Sequence, residues 1–393
     1  MTKCKLGDIC EIVSGSTPKT SIAEYWDGDV KWITPAELSD DTYIIMDSVR
    51  KITELAVEKT GLRSIPKGTV ILSSRAPIGK VAIAGCELYC NQGFKNLICS
   101  DVINNKYLYW FLKGNTIFLN SLGRGATFKE ISKSIVSEIE INIPSIMQQK
   151  KVVENLEKLN RIISIRKQEL QLLDELVRGR FVELFGDPIE NPKRYYVATL
   201  QELIDKDYIT YHLDGNHGGD YPRSEEFVAS GVPYISANCI VNGEIDFSKA
   251  KFLTSERAGK LRKGIAQDED VLFAHNATVG PTVVLHTDEE KVILGTSLTA
   301  YRCNKDEIMP NYLKAYMLSD GFVRQYSGEM KQTTRNQVPI TAQKKYLFLI
   351  PPIKEQNQFA DFVHQIDKSK LIVQKELDET QLLFDSLMQE YFG

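Results

Sequence analysis

The sequence predicts an α+β protein: two tandem mixed α/β globular domains, each followed by a long α-helix, with the two helices pairing as an antiparallel coiled coil. Three observations predict this. The chain has 393 residues, 42% hydrophobic and 25% charged, an ordinary globular composition with room for two or three domains, unlike disordered, collagenous or purely coiled-coil chains. It repeats itself, first half against second. Each half closes on a proline-free stretch in which apolar residues recur at heptad spacing.

The repeat is plainest where the halves end. INIPSIMQQ from Ile141 returns as FLIPPIKEQ from Phe348, setting Pro144 over Pro351 and Gln149 over Gln356 at an offset of 207. That offset holds without a gap to Gly186 over Gly393, with 11 identities in the 44 positions from Ile143; unrelated sequences share about one position in fifteen. Upstream the offset drifts, as it does where loops differ in length. Val70-Ile71-Leu72 matches Val271-Leu272-Phe273 at 201, Trp32-Ile33-Thr34 matches Tyr234-Ile235-Ser236 at 202, and YLYWFL from Tyr107 matches YLKAYM from Tyr312 at 205.

The globular parts, 1–145 and 187–352, read as mixed α and β. Runs at Val70 to Ser73, Val81 to Ala84, Val271 to Ala274 and Thr282 to Leu285 are β-like and bounded by Gly or Pro. Segments 107–120 and 311–326 have helical spacing. Gly186-Asp187-Pro188-Ile189-Glu190-Asn191-Pro192 is turn-forming and marks the boundary between the halves.

The two repeated tails, 146–186 and 353–393, read as helices that begin just after a proline. In the first, Leu156, Leu159, Ile163, Leu170, Leu173 and Val177 follow a 3-4 rhythm; in the second, Val363, Ile366, Val373, Leu377, Phe384 and Leu387 do so. Such a seam must be covered by a partner helix. Because the two seams occupy equivalent registers, each suits the other, and about 40 residues at 1.5 Å each give a rod of roughly 60 Å.

Catalytic motifs are not found. FGDPIENP lacks the paired prolines and aromatic of an exocyclic-amine methyltransferase loop, and Ser74 to Val81 offers only a GK out of a phosphate-binding loop. Asp214, His217 and Asp220 could in principle hold a metal, but the glycine-rich loop has no counterpart in the first half and reads as a turn. Seven Cys without a CxxC pair point to free thiols, with no disulfide and no structural metal. Neither a signal peptide nor a run of 18 apolar residues is present, so a soluble, cytoplasmic protein is expected.

Polar loops, by contrast, recur at matching places. The first carries Ser73, Ser74, Arg75 and Lys80, against His275, Asn276 and Thr278. The second carries Asn91, Gln92 and Lys95, against Thr296, Ser297 and Thr299. The third holds Arg124, Thr127 and Lys129 in GRGATFKE from Gly123, against Lys331, Gln332, Thr333, Thr334, Arg335 and Asn336. These side-chain types donate to phosphates and read base edges. Different polar identities at equivalent positions suit two readers of two different sequences.

The formal net charge of -4 and pI near 5.9 argue against strong non-specific binding by the chain alone. Acidity is concentrated late: Lys+Arg against Asp+Glu is 17 to 16 over 1–145, 8 to 6 over 146–186, 19 to 22 over 187–352, and 4 to 8 over 353–393.

With SGSTP from Ser14, YWDGDVKWIT from Tyr25, IPKGTV from Ile65, NQGF from Asn91 and IPSIMQQ from Ile143, then DGNHGGDYP from Asp214 and IPPIKEQ from Ile350, the whole chain resembles the specificity subunit of a type I restriction-modification system. The resemblance implies target recognition domains at 1–145 and 187–352, a central spacer helix at 146–186 and a C-terminal spacer helix at 353–393. It implies a non-catalytic subunit that reads a bipartite, asymmetric site in double-stranded DNA. Such a subunit docks two methyltransferase subunits, to which endonuclease-translocase subunits can be added; S-adenosylmethionine, ATP and Mg belong to those partners. Thr17, Lys19 and His217, in or beside these strings, join the DNA-contact candidates. The second half has AHNAT from Ala274 where the first has SSRAP, so an Arg-led loop is not implied in both. Two other readings stay open: a coiled-coil adaptor with protein-binding domains, and a DNA-modifying enzyme using the His217 loop.

Overall fold

The computed structural model describes residues 2–75, 77–125, 129–216, 221–330 and 336–393. It divides into two compact units, Met1–Lys167 with Gln374–Gly393, and Gln168–Val373. The chain crosses from one to the other within each long helix.

In the first unit an antiparallel sheet runs in the order Cys10–Ser14, Phe94–Cys99, Val70–Ser73 and Val81–Ala84, with the short Ile44–Ile45 parallel to the last. Every residue of Val70–Ser73 and Val81–Ala84 is buried, because alternate side chains enter different cores. Val70, Leu72, Val81 and Ile83 pack with the helix Asn105–Gly114; Ile71, Ala82 and Ala84 pack with Ile33, Leu88 and Phe94. Continuous apolar runs are what a sheet covered on both faces requires.

The second unit rebuilds this frame. Ile209–Asp214, Leu298–Cys303, Val271–Asn276 and Thr278–Val284 form an antiparallel sheet in the same order. Trp32 and Ile33 lie parallel to Tyr89 and Cys90 in the first unit, as Tyr234 and Ile235 do to Ile293 and Leu294 in the second. Thr2–Lys5 pairs with Glu140–Ile143, and Tyr196–Thr199 with Leu347–Ile350, tying the first strand of each half to the one leading into its long helix.

The helices expected at 107–120 and 311–326 are each broken in two. The first becomes Asn105–Gly114 and Thr116–Ser121, interrupted at Asn115, whose side chain donates to the Phe111 carbonyl at 2.9 Å. The second becomes Pro310–Met317 and Asp320–Met330, where the Ser319 hydroxyl accepts from Phe322 N and so caps a fresh start.

The long helices, Ile146–Phe185 and Ile353–Phe392, have 40 residues each. Of the heptad residues, Leu156, Ile163, Val363, Ile366, Val373 and Leu377 are buried, while Leu159, Leu170, Leu173, Val177, Phe384 and Leu387 are half-buried. In the first unit Arg166 pairs with Glu376 at 2.5 Å, and the Asn155 amide donates to Tyr391 Oη at 3.5 Å. In the second, Asp174 pairs with Lys370, and Phe181 meets Phe359 edge-on at 5.6 Å. Phe181 stacks on Tyr312, and Phe185 meets both Tyr312 and Phe359 edge-on; these aromatics carry more of that core than the periodicity suggested. After the first helix Gly186 takes φ 77° and Asp187 Oδ1 accepts from Ile189 N at 2.7 Å, so the linker turns as its composition required.

Candidate nucleic-acid interface

In each unit several chain segments converge at one end of the four antiparallel strands. In the first, the described residues that do so are 15–19, 73–75, 77–80, 90–95, 123–125 and 129–131. A glycine makes the approach possible: a Cβ on Gly15 would lie 2.0 Å from the Asn91 carbonyl oxygen, and one on Gly215 would lie 1.9 Å from that of Gly295. Each glycine directly follows the last residue of the first strand of its sheet, Ser14 or Asp214, and only a residue without Cβ fits such a crossing.

The third loop is stitched to the first in both units by the same backbone bonds. Ile131 N donates to the Ser74 carbonyl at 2.9 Å and Val338 N to that of His275 at 2.8 Å. The bridges Arg75 with Glu130 and Asn276 with Gln337 repeat the match. Ser74 N in turn donates to the Gly93 carbonyl at 2.7 Å, and His275 N to that of Ser297 at 2.9 Å, fixing the second loop. The three loops matched by sequence are therefore neighbours in space within each unit.

Several candidate side chains are committed to holding this frame. Ser73 Oγ donates to the Pro77 carbonyl at 2.7 Å and accepts from Lys80 N at 2.9 Å; Ser74 Oγ donates to the Gly93 carbonyl at 3.1 Å. Both serines are buried, as are Lys95 and His275. His275 Nδ1 faces the Val338 carbonyl at 3.1 Å. The Lys80 amine donates to the Leu38 carbonyl, Asn91 Oδ1 accepts from Gly93 N at 2.9 Å, and Ser297 Oγ accepts from Ala237 N at 2.9 Å. Thr17 donates its hydroxyl to Gln92 Oε1. Asn276 and Thr296 are half-buried.

Lys19, Arg75, Gln92, Arg124 and Lys129 are exposed in the first unit, and Thr278 and Asn336 in the second. Ala277, at φ 65°, makes the tight turn between Asn276 and Thr278, a backbone region that non-glycine residues seldom occupy. Thr127, His217 and Lys331, Gln332, Thr333, Thr334 and Arg335 lie outside the described residues.

Sequence reasoning passed over Glu130. Its carboxylate takes Arg75 Nε at 2.9 Å and Lys95 Nζ at 3.3 Å. Burial alone pushes this carboxyl up, but the bonds from Arg75 and Lys95 outweigh it and hold it below the usual carboxylate range. The signal was available: Glu130 and Gln337 stand at the helices' own offset of 207. Among the described residues no group of three or more His, Cys, Asp or Glu is placed to hold a metal ion, and no helix is long and apolar enough to cross a membrane.

A profile of the type I restriction modification DNA specificity domain matches residues 1–175 and 200–381. The type I restriction enzyme MjaIX specificity subunit of Methanocaldococcus jannaschii is 34% identical over 279 residues, 68% of this chain and 64% of that relative's length. The MjaVIII specificity subunit of the same organism is 21% identical over 395 residues, 96% of this chain and 88% of that one. Among solved structures, the S subunit of a type I restriction-modification system from M. genitalium superposes with a TM-score of 0.61 at 16% identity, covering 100% of this chain and 96% of that one.

Proposed function

The chain belongs to the type I restriction-modification DNA specificity domain family, and on that premise we propose that it is the non-catalytic subunit that chooses the DNA sequence for such a complex. It reads a bipartite, asymmetric site in double-stranded DNA, one half-site for each recognition domain, 1–145 and 187–352. The observation that carries this reading is the loop frame built twice on one scaffold with unlike polar side chains, ionic at Arg75, Lys95 and Glu130 in the first unit and neutral at the matching Asn276, Thr299 and Gln337 in the second. Identical frames give one mode of docking, and unlike side chains give different base preferences.

The exposed set, Lys19, Arg75, Gln92, Arg124, Lys129, Thr278 and Asn336, together with Thr127, His217 and 331–335, supplies contacts to phosphates and base edges. Ser73, Ser74, Lys95 and His275 act beneath them as framework. The spacer helices pair antiparallel: as positions rise along the central helix from Asn155 to Arg166, its partners fall from Tyr391 to Glu376, and likewise from Asp174 to Phe181 the partners fall from Lys370 to Phe359. The pair acts as a ruler and as the seat for two methyltransferase subunits and the endonuclease subunits that join them. S-adenosylmethionine, ATP and Mg are bound by those partners, in the cytoplasm.

Selection of bound duplexes from a random-sequence pool, with the full chain alone and with a methyltransferase partner, tests this. Enrichment of a single gapped motif is expected. No enrichment with the partner present overturns it, as does a motif without a gap.

A further inference from the structure

Arg75 is a side chain that could read a base and is also held from behind. Its Nε meets Glu130 Oε2 at 2.9 Å, and Glu130 Oε1 meets Lys95 Nζ at 3.3 Å. Lys95 in turn lies 3.3 Å from Ser74 Oγ. Exposure rises along this series: the Lys95 side chain is 7% exposed, Glu130 34% and Arg75 44%. A buried ammonium needs a partner; here it fixes the carboxylate, and the carboxylate fixes the guanidinium. The backbone bridges of Glu130 with both Arg75 and Arg124 hold the carboxylate-bearing segment itself.

Geometry then decides what the guanidinium can do. A carboxylate bonded at Nε does not occupy the Nη1–Nη2 end, and two parallel donors of that kind match guanine O6 and N7 in the major groove. A free arginine must give up rotamer freedom when it binds, whereas one already braced at Nε gives up less. We infer that Glu130, seated on Lys95, is the positioning residue that presents Arg75 to a guanine in the half-site read by the first unit.

Among the described residues the second unit does not repeat the device. At the matching places stand Asn276, Gln337 and Thr299, the last in the strand register that Lys95 holds in the first unit. These are neutral side chains, and Asn or Gln suits adenine. The braced-arginine contact therefore belongs to one half-site only.

This inference rests on the proposed function, and its test separates the two. The full chain, with its methyltransferase partner, is put through duplex selection as wild type, as Arg75→Ala, and as Lys95→Met with Glu130→Gln. The double variant removes both inner charges together and strands neither in the interior; Arg75→Ala alters a half-exposed side chain and leaves the frame intact. Both variants are expected to weaken a guanine preference at the same single position by at least about 5-fold, the low end of what a bidentate contact discriminates, with the other half-site unchanged. A wild-type motif that neither variant alters overturns the inference alone. So does a loss of preference spread over both half-sites, or a double variant that keeps the guanine while Arg75→Ala loses it. A wild-type complex that enriches no gapped motif overturns the proposed function and this inference with it.

Discussion

Gln149 and Gln356, 207 positions apart, make the same three hydrogen bonds in their two units. Gln149 Oε1 accepts from Asn104 N at 2.8 Å, and its amide donates to the Val102 and Pro144 carbonyls at 3.0 and 2.9 Å. Gln356 Oε1 accepts from Met309 N at 2.9 Å, and its amide donates to the Glu307 and Pro351 carbonyls at 3.0 and 2.8 Å. Each is fully buried and joins the first turn of a long helix to the segment entering a helix of the globular part. Leucine at either site fills the space but strands three backbone groups, so Gln149→Leu or Gln356→Leu is expected to cost roughly 3 kcal/mol. Urea unfolding checks this; an unchanged midpoint would sink it.

Asp270 is buried against Arg302, whose Nε and Nη2 each reach a carboxylate oxygen at 2.8 Å, while Gln267 N adds a third bond at 2.8 Å. Removing the guanidinium leaves an unpaired carboxylate in the interior. Arg302→Met is expected to destabilise the second unit by about 3–5 kcal/mol, and Arg302→Lys by less, since an ammonium keeps the charge and loses the fork. The comparison of the two melting curves is the measurement.

His212 lies in a buried polar network: its Nε2 faces Gln343 Oε1 at 3.1 Å, which also accepts from Tyr301 Oη at 2.6 Å. Burial pushes its imidazole down to about 4, against the opposing pull of the Gln343 bond. The unfolded chain takes up this proton near the ordinary 6.5 and the folded chain does not, so stability is full above that value and falls as pH drops toward 4. The loss by pH 4 is roughly 3 kcal/mol. His212→Gln is expected to flatten unfolding free energy across that window; a slope that persists in the variant assigns the effect to other groups.

The repeat, the β-runs at 70–73, 81–84, 271–274 and 282–285, and the long helices were legible because they rest on apolar periodicity, which survives drift in loop length. The broken helices at Asn115 and Ser319 were not, since one residue's capping bond interrupts a spacing that otherwise continues. The three loops were legible as a set, but not which of their side chains face outward. Lys95 reads as a surface cation in NQGFKNL and is buried because Glu130, 35 positions away, neutralises it. Glu130 itself was overlooked because a carboxylate looks wrong in a loop meant to meet phosphates; its place is behind the arginine.

If the two long helices set the gap between half-sites, shortening both alike must change that gap or abolish binding, and leave the identity of both half-sites as it is. Arg166 faces Glu376, so residues 164–170 and 373–379 are the stretches to remove together. Seven residues preserve the heptad phase to within about 20°, and their loss shortens each helix by about 10 Å, close to three base pairs at 3.4 Å each. Three base pairs also turn the duplex by about a third of a revolution, given 10–10.5 per turn, so the shorter ruler faces a misaligned groove and affinity falls as well. Duplex selection with the doubly shortened chain and its methyltransferase partner is therefore expected to return both half-sites unaltered with a gap about three base pairs shorter, or no binding at any gap. Recovery of the original gap at undiminished affinity would show that something other than these helices measures the distance.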